Sequence, residues 1–226
     1  METSLNYRVT RRRLLGGTIG LIGLAGAATG GYAAGIEAQS LVVTRYAFNP
    51  PGWPAGRRLS ITAIADLHAG GPDMTLVHIR RVVDTANLLK SDIVVLLGDY
   101  TASYRIANQQ VPYQAWSAEL ARLTAPFGAW AILGNHDWWN DLAEVREALA
   151  DRHIPVLEND AVMLGGEGRR FWLAGLGDQI AYRLGRGHFR GVDDLPRTLA
   201  QVATDDPVVL LAHEPDIFRM CRRGSR

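Results

Sequence analysis

Cysteine is almost missing from this chain: Cys221 stands alone, which excludes an intrachain disulfide framework and any metal site built from several thiolates. A charge excess is missing too. The 24 Lys and Arg residues face 23 Asp and Glu, a net charge of +1, so nothing global points to a nucleic-acid partner and none is expected. Internal repeats are absent, as is low-complexity sequence beyond the N-terminus. The remainder is ordinary globular material. At 226 residues, 47% hydrophobic and 21% charged, it suffices for one domain with a sizeable core plus an N-terminal appendage. The basic residues are nevertheless uneven, with Arg8, Arg11, Arg12 and Arg13 near the start and Arg219, Arg222, Arg223 and Arg226 at the end.

Residues 1–36 read as an address. Thr10-Arg11-Arg12-Arg13 opens an uncharged stretch from Leu14 to Ile36 that contains eight glycines. Positive residues followed by a small-residue apolar segment are the parts of an export signal. The paired arginines and the mild, glycine-loaded hydrophobicity resemble the bacterial twin-arginine signal. An uncleaved anchor is the competing reading, since ~20 apolar residues span a bilayer. The expectation is a chain exported across, or anchored to, a bacterial inner membrane by the twin-arginine machinery, facing the periplasm. Residues 37–226 then form the folded domain.

Within that domain strand-like and helix-like runs alternate. Leu41–Phe48 alternates enough to predict a strand, and Pro50-Pro51-Gly52 a loop. Leu59–Ala65 predicts a buried strand, and Asp73 caps a helix with the apolar stripe Leu76, Ile79, Val83, Ala86. Ile93–Leu97 and Ala129–Leu133 predict further strands, with a helix from about Pro112 to Thr124 between them and another over Asp141–Asp151. Ala161–Leu164 and Phe171–Ala174 predict a hairpin, Asp193–Ala203 a helix and Val208–Ala212 a last strand. Alternating strand and helix imply an α/β fold with parallel strands, whose ligands collect beyond the strands' carboxyl ends.

Polar motifs stand at those ends: Asp66-Leu67-His68, Gly98-Asp99, Gly134-Asn135-His136-Asp137, and His213. Asp66 and His68, two residues apart, can aim at one ion. Asp99, after a glycine that permits a tight turn, can bridge two. Asn135 offers an amide oxygen and His213 an imidazole nitrogen. Mixed oxygen and nitrogen sets suit Mn, Fe, Zn or Co. Two such ions ~3.5–4 Å apart hold a bridging hydroxide and clamp the phosphoryl oxygens of an in-line displacement. His136 can donate a proton to the leaving oxygen, and Asp137, by adjacency, can orient that imidazole. A lone histidine such as His213 is commonly structural, and only its place in the series raises it. His78 and His153 read as structural residues of helices. His188, among Arg183, Arg186 and Arg190, reads as part of a solvated basic loop that can touch an anionic substrate. Trp138 and Trp139 wall the pocket or pack beneath it.

Asp-x-His, Gly-Asp, Gly-Asn-His-Asp and a later His, each after a hydrophobic strand, together resemble the calcineurin-like metallophosphoesterase superfamily. With the leader and the text Leu210-Leu211-Ala212-His213-Glu214-Pro215-Asp216, the chain looks similar to its exported or membrane-associated bacterial branch. The resemblance implies a layered α/β/β/α sandwich and a dimetal phosphohydrolase. Asp66 and His68 would bind the first metal, Asp99 would bridge, Asn135 and His213 would bind the second, and His136 would be catalytic. The implied substrate is a phosphodiester, pyrophosphate or phosphomonoester, lipid-linked molecules such as UDP-2,3-diacylglucosamine included.

Two departures from that pattern stand out. The acidic residue that many members carry three positions after the Gly-Asp aspartate is Ala102 here. The Gly-His-x-His motif that supplies two further metal-binding histidines does not occur. The expectation is a domain lacking its C-terminal strands. The alternative to an enzyme is a truncated, non-catalytic fragment with weak or no metal binding.

Overall fold

A run such as Ile93–Leu96, apolar at every position, has no solvent face, so it folds only where both sides are covered. The computed structural model, which describes residues 40–102 and 109–221, shows how that cover is provided. Strands β1 (Ile61–Ile64), β3 (Ile93–Leu96) and β5 (Ala129–Ala131) form a parallel sheet in the order β1-β3-β5. Helices α1 (Leu76–Leu88), α2 (Tyr113–Leu120) and α4 (Leu142–Ala150) supply Ile79, Val83, Trp116, Leu120, Val145 and Leu149 to the cluster that takes Val94 and Leu96. The alternate residues, Ile93 and Val95, pack into a second cluster with Phe171, Leu173 and Leu211.

Those partners belong to a second sheet, β10-β7-β6. In it β6 (Asp160–Leu164) runs antiparallel and β10 (Val208–Leu211) parallel to β7 (Phe171–Gly175). The short helix α5 (Leu195–Leu199) packs against β6 and β7. The order of layers is helices, sheet, sheet, helix, the expected α/β/β/α sandwich. Smaller pieces complete it: the two-residue strands β2 (Gly70–Gly71) and β4 (Gln109–Gln110), helix α3 (Asn135–Trp139), the hairpin β8 (Tyr182–Gly185) and β9 (His188–Arg190), and a closing turn, Pro215–Ile217, that leads into α6 (Phe218–Cys221).

Several expectations need correction. Leu41–Phe48 forms no strand and is exposed, Val42 at 76% and Tyr46 at 85%; no strand among the described residues pairs with it, and alternation without a partner does not make a sheet. Helix α1 is capped by Thr75, whose hydroxyl accepts from His78 N, rather than by Asp73. Helix α2 stops at Leu120 and α5 at Leu199, both short of the predicted spans. The basic segment around His188 is a hairpin. Arg186 and Gly187 both take positive φ, the signature of the two-residue I′ turn that suits the twist of paired strands. The leader, residues 1–36, lies outside the described residues.

Candidate metal centre

The parallel ladder does not stop where β1 and β3 end. Asp66 N donates to Gly98 O, His68 N to Asp99 O and Ala69 N to Tyr100 O, so the two loops leave the sheet side by side. Along that path Asp66, His68 and Asp99 adopt φ of 51°, 43° and 57°. Few residues with a Cβ occupy the left-handed region, and each such residue costs about 1–3 kcal/mol unless its surroundings fix it. Here the inter-loop hydrogen bonds do so. The turn also needs glycines. Gly98 has φ +94, and a Cβ on it would run into the Gly134 backbone; one on Gly134 would strike Asp99 Oδ1 and lie 2.7 Å from His213 Cε1.

Asp137 locks the two strand ends together. Fully buried, its carboxylate accepts from Gly134 N, Asp99 N and Tyr100 N, all at 2.9 Å. Burial, helped by Asp99, pushes its pKa up to about 7 against the pull of those donors. This replaces the expectation from adjacency: the Asp137 carboxylate is spent on the backbone of the ligand loops, not on the His136 ring.

Asp99, only 2% exposed, stands at the centre. Its Oδ1 accepts from His136 N at 2.8 Å and lies 3.5 Å from His213 Nε2, while Oδ2 lies 3.5 Å from His68 Nε2. Asp66 Oδ1 is 3.8 Å from that same His68 nitrogen. Each imidazole is turned by a carbonyl behind it. His213 Nδ1 donates to Leu97 O at 2.7 Å, and His68 Nδ1 faces Thr101 O at 3.4 Å. In the neutral rings the lone pair therefore sits on Nε2, the nitrogen that faces the carboxylates.

At His213 three acceptors converge: the Nε2 lone pair, Asn135 Oδ1 at 3.1 Å and Asp99 Oδ1 at 3.5 Å. Such a cluster repels itself unless a cation or proton sits within it, and hard or borderline divalent ions take this donor set. The residues therefore fit the metals that the sequence motifs imply. Burial pulls the His213 pKa down, but the Leu97 carbonyl and Asp99, Asp66 and Asp178 outweigh it and hold the value above normal.

His136, half-buried, sets its ring edge-on to His68 with centroids 4.8 Å apart, and lies 5.2 Å from the Trp139 ring. Burial lowers its pKa against the opposing pull of Asp99, and the neighbours His68, Arg183 and His213 act in the same direction as burial. Arg183 Cζ sits 3.5 Å above the other neighbour, the Trp139 ring, which also stacks on Phe189. The β8–β9 hairpin thus forms a rim of the centre.

Every residue singled out at a strand end converges. His68, Asp99 and His136 form one group with ligand atoms within 4.8 Å of each other, and Asp66, Asp99 and His213 another. Asn135 joins through its Oδ1, 3.1 Å from His213 Nε2. His78, His153 and His188 belong to neither group. One participant escaped the sequence reading. Asp178, buried at the end of β7, lies beside His213 and Glu214, and burial raises its pKa to about 6. Gly177-Asp178 after an apolar strand repeats the Gly98-Asp99 signature, which is how it could have been found.

Residues 59–225 match the family model described as calcineurin-like phosphoesterase. The chain belongs to the calcineurin-like phosphoesterase family. An uncharacterised metallophosphoesterase of Aquifex aeolicus is 30% identical to it over 184 residues, covering 81% of this chain and 66% of the relative. A Danio rerio protein named as a transmembrane protein with a metallophosphoesterase domain is 32% identical over 162 residues, covering 70% of this chain and 35% of its own length. An uncharacterised metallophosphoesterase of Bacillus subtilis is 28% identical, covering 92% and 71%. This calcineurin-like phosphoesterase thus spans about two thirds of the Aquifex relative and a third of the zebrafish one. Among solved structures, the NAD nucleotidase of Haemophilus influenzae superposes with a TM-score of 0.48 at 18% identity, over 72% of this chain and 39% of that one.

Proposed function

We propose that the chain hydrolyses a phosphodiester, pyrophosphate or phosphomonoester with two divalent cations, Mn, Fe, Zn or Co. The observation that carries this is the inward turn of both imidazoles, each with Nε2 toward Asp99 and a carbonyl behind it. Asp66, His68 and Asp99 would hold one ion, and Asp99, Asn135 and His213 the other. Bound there, the ions would supply Lewis acidity and a water deprotonated near neutral pH. The chain's own groups do the rest. Asp99 holds the His136 backbone through Oδ1, and that imidazole, beside His68 and Trp139, gives a hydrogen bond or, when protonated, its proton to the leaving oxygen. Trp139 and the rim exclude water from one side.

The rim also bears on the substrate. Residues 182–190 contain Arg183, Arg186 and Arg190, no acid, and the exposed apolar side chains of Leu184 and Phe189. A molecule with an anionic group and an apolar part suits that surface, and a lipid-linked phosphoester such as UDP-2,3-diacylglucosamine is one of that kind. Thr10-Arg11-Arg12-Arg13 and the uncharged stretch after it support export through the twin-arginine machinery and a place at the membrane's outer face. Replacing Arg11 and Arg12 by Lys and following the chain by cell fractionation tests this; unchanged export would refute it.

The activity is tested with bis(p-nitrophenyl) phosphate and added Mn²⁺. Turnover that needs metal and falls at least about 100-fold in His136→Ala, the scale of general acid catalysis, is the expected result. Asp99→Ala should abolish it. A folded, Mn²⁺-saturated chain without turnover on this ester, pyrophosphates or monoesters would overturn the proposal.

A further inference from the structure

The second sheet brings a carboxylate to the centre that neither the family match nor the strand-end motifs account for. Asp178 follows β7 and is 2% exposed. Its Oδ1 accepts from Ile180 N at 2.8 Å, which closes the local turn. Its Oδ2 is buried, and no group among the described residues donates to it. Oε1 of the next residue, Gln179, is in the same condition. A serine or asparagine would close that turn as well as an aspartate does, so the turn does not explain the second oxygen. A buried carboxylate oxygen without a donor is costly, and a cation is the partner that relieves it most.

The neighbours point to the same partner. Asp178, His213 and Glu214 place ligand atoms within 4.8 Å of one another. His213 has spent Nδ1–H on Leu97 O, so its remaining nitrogen accepts as well. No Lys or Arg forms an ion pair with Asp178 or Glu214 among the described residues. His213 therefore stands between two carboxylate groups: Asp66 and Asp99 from the first sheet, Asp178 and Glu214 from the second.

We infer that Asp178, with Glu214 beside it, belongs to the cation site at His213, as the carboxylate contribution of the second sheet. The inference rests on the dimetal reading above. It makes the second ion a link between the two sheets, held by Asn135 from one and by His213 and Asp178 from the other.

The experiment uses the full chain, stripped with a chelator and titrated with Mn²⁺ by calorimetry, alongside thermal melts with and without metal. Asp178→Asn keeps the oxygen that accepts from Ile180 N and removes the charge. It should weaken Mn²⁺ binding about 10–100-fold, the range seen when groups supporting a metal site are changed. Its metal-free melting temperature should equal or exceed that of the unaltered chain, and its gain on adding Mn²⁺ should shrink. Glu214→Gln, at a half-exposed position, should weaken binding less. An isotherm for Asp178→Asn matching that of the unaltered chain overturns the inference. So does weaker binding accompanied by a lower metal-free melting temperature, because Asp178 would then act through the fold. An unaltered chain that binds no Mn²⁺ refutes the dimetal reading itself, a different failure from a variant that binds as well as its parent.

Discussion

The two sheets contribute to the centre in opposite ways. On the first, polar atoms satisfy each other before any ligand arrives: Asp137 takes three backbone N–H groups, Asp99 takes His136 N, and the loops from β1 and β3 are laced together. On the second, His213 is tethered by one carbonyl and Asp178 keeps an oxygen without a donor among the described residues. The first half is preorganised by its own backbone, whereas the second gains its last partners from what it binds. On the proposed dimetal reading, geometry for chemistry is fixed by one sheet, and affinity for the ion draws on both.

Removing the lock on the first half should have the largest effect. Asp137→Ala leaves three buried N–H groups without their acceptor, at about 1–3 kcal/mol each before water recovers part of it, so a loss of roughly 3–5 kcal/mol is expected in urea denaturation of the metal-free chain. If that loss is absent, the contrast between the halves collapses. Gly134→Ala comes next. The added methyl meets Asp99 and His213 together, so a loss of about 1–3 kcal/mol should accompany abolished Mn²⁺ binding by calorimetry. The smallest effect lies far from the centre. Glu119 accepts from Arg80 and Arg122; burial raises its pKa, but the two guanidiniums outweigh that and lower it. Its contribution to stability is complete above the unfolded-state glutamate value and is lost as pH falls through the lowered one. Urea midpoints across that acid range should fall more steeply for the unaltered chain than for Glu119→Gln, with Mn²⁺ binding at neutral pH alike in both. A change in binding would mean that the helical face is coupled to the centre.

What could be read from the residues follows the same division. The first sheet was legible because its motifs end strands whose apolar runs are unmistakable, and because the stripe Ile79, Val83, Ala86 fixes the face α1 buries. Asp137 was legible as a participant but not in its role, since adjacency to His136 says nothing about backbone donors 37 and 38 residues away. Asp178 was lost because Phe171–Ala174 reads as one arm of a hairpin, and a parallel partner, β10, supplied from further along the chain, makes its end a site. Arg183–Arg190 looked like a loop because its glycines and arginines carry no apolar alternation. The I′ turn at Arg186 and Gly187 makes the hairpin, and stacking on Trp139 holds it in place. Leu41–Phe48 had the alternation and lacked the neighbour.

The I′ turn has a consequence for how such a protein diversifies. Its tip, Arg186 and Gly187, makes no bond to Asp66, His68, Asp99, Asn135 or His213 among the described residues, so lengthening or recolouring it would leave the ligand backbone untouched. If the rim selects the substrate as proposed, selectivity would be housed in a part that can change without rebuilding the ligand loops.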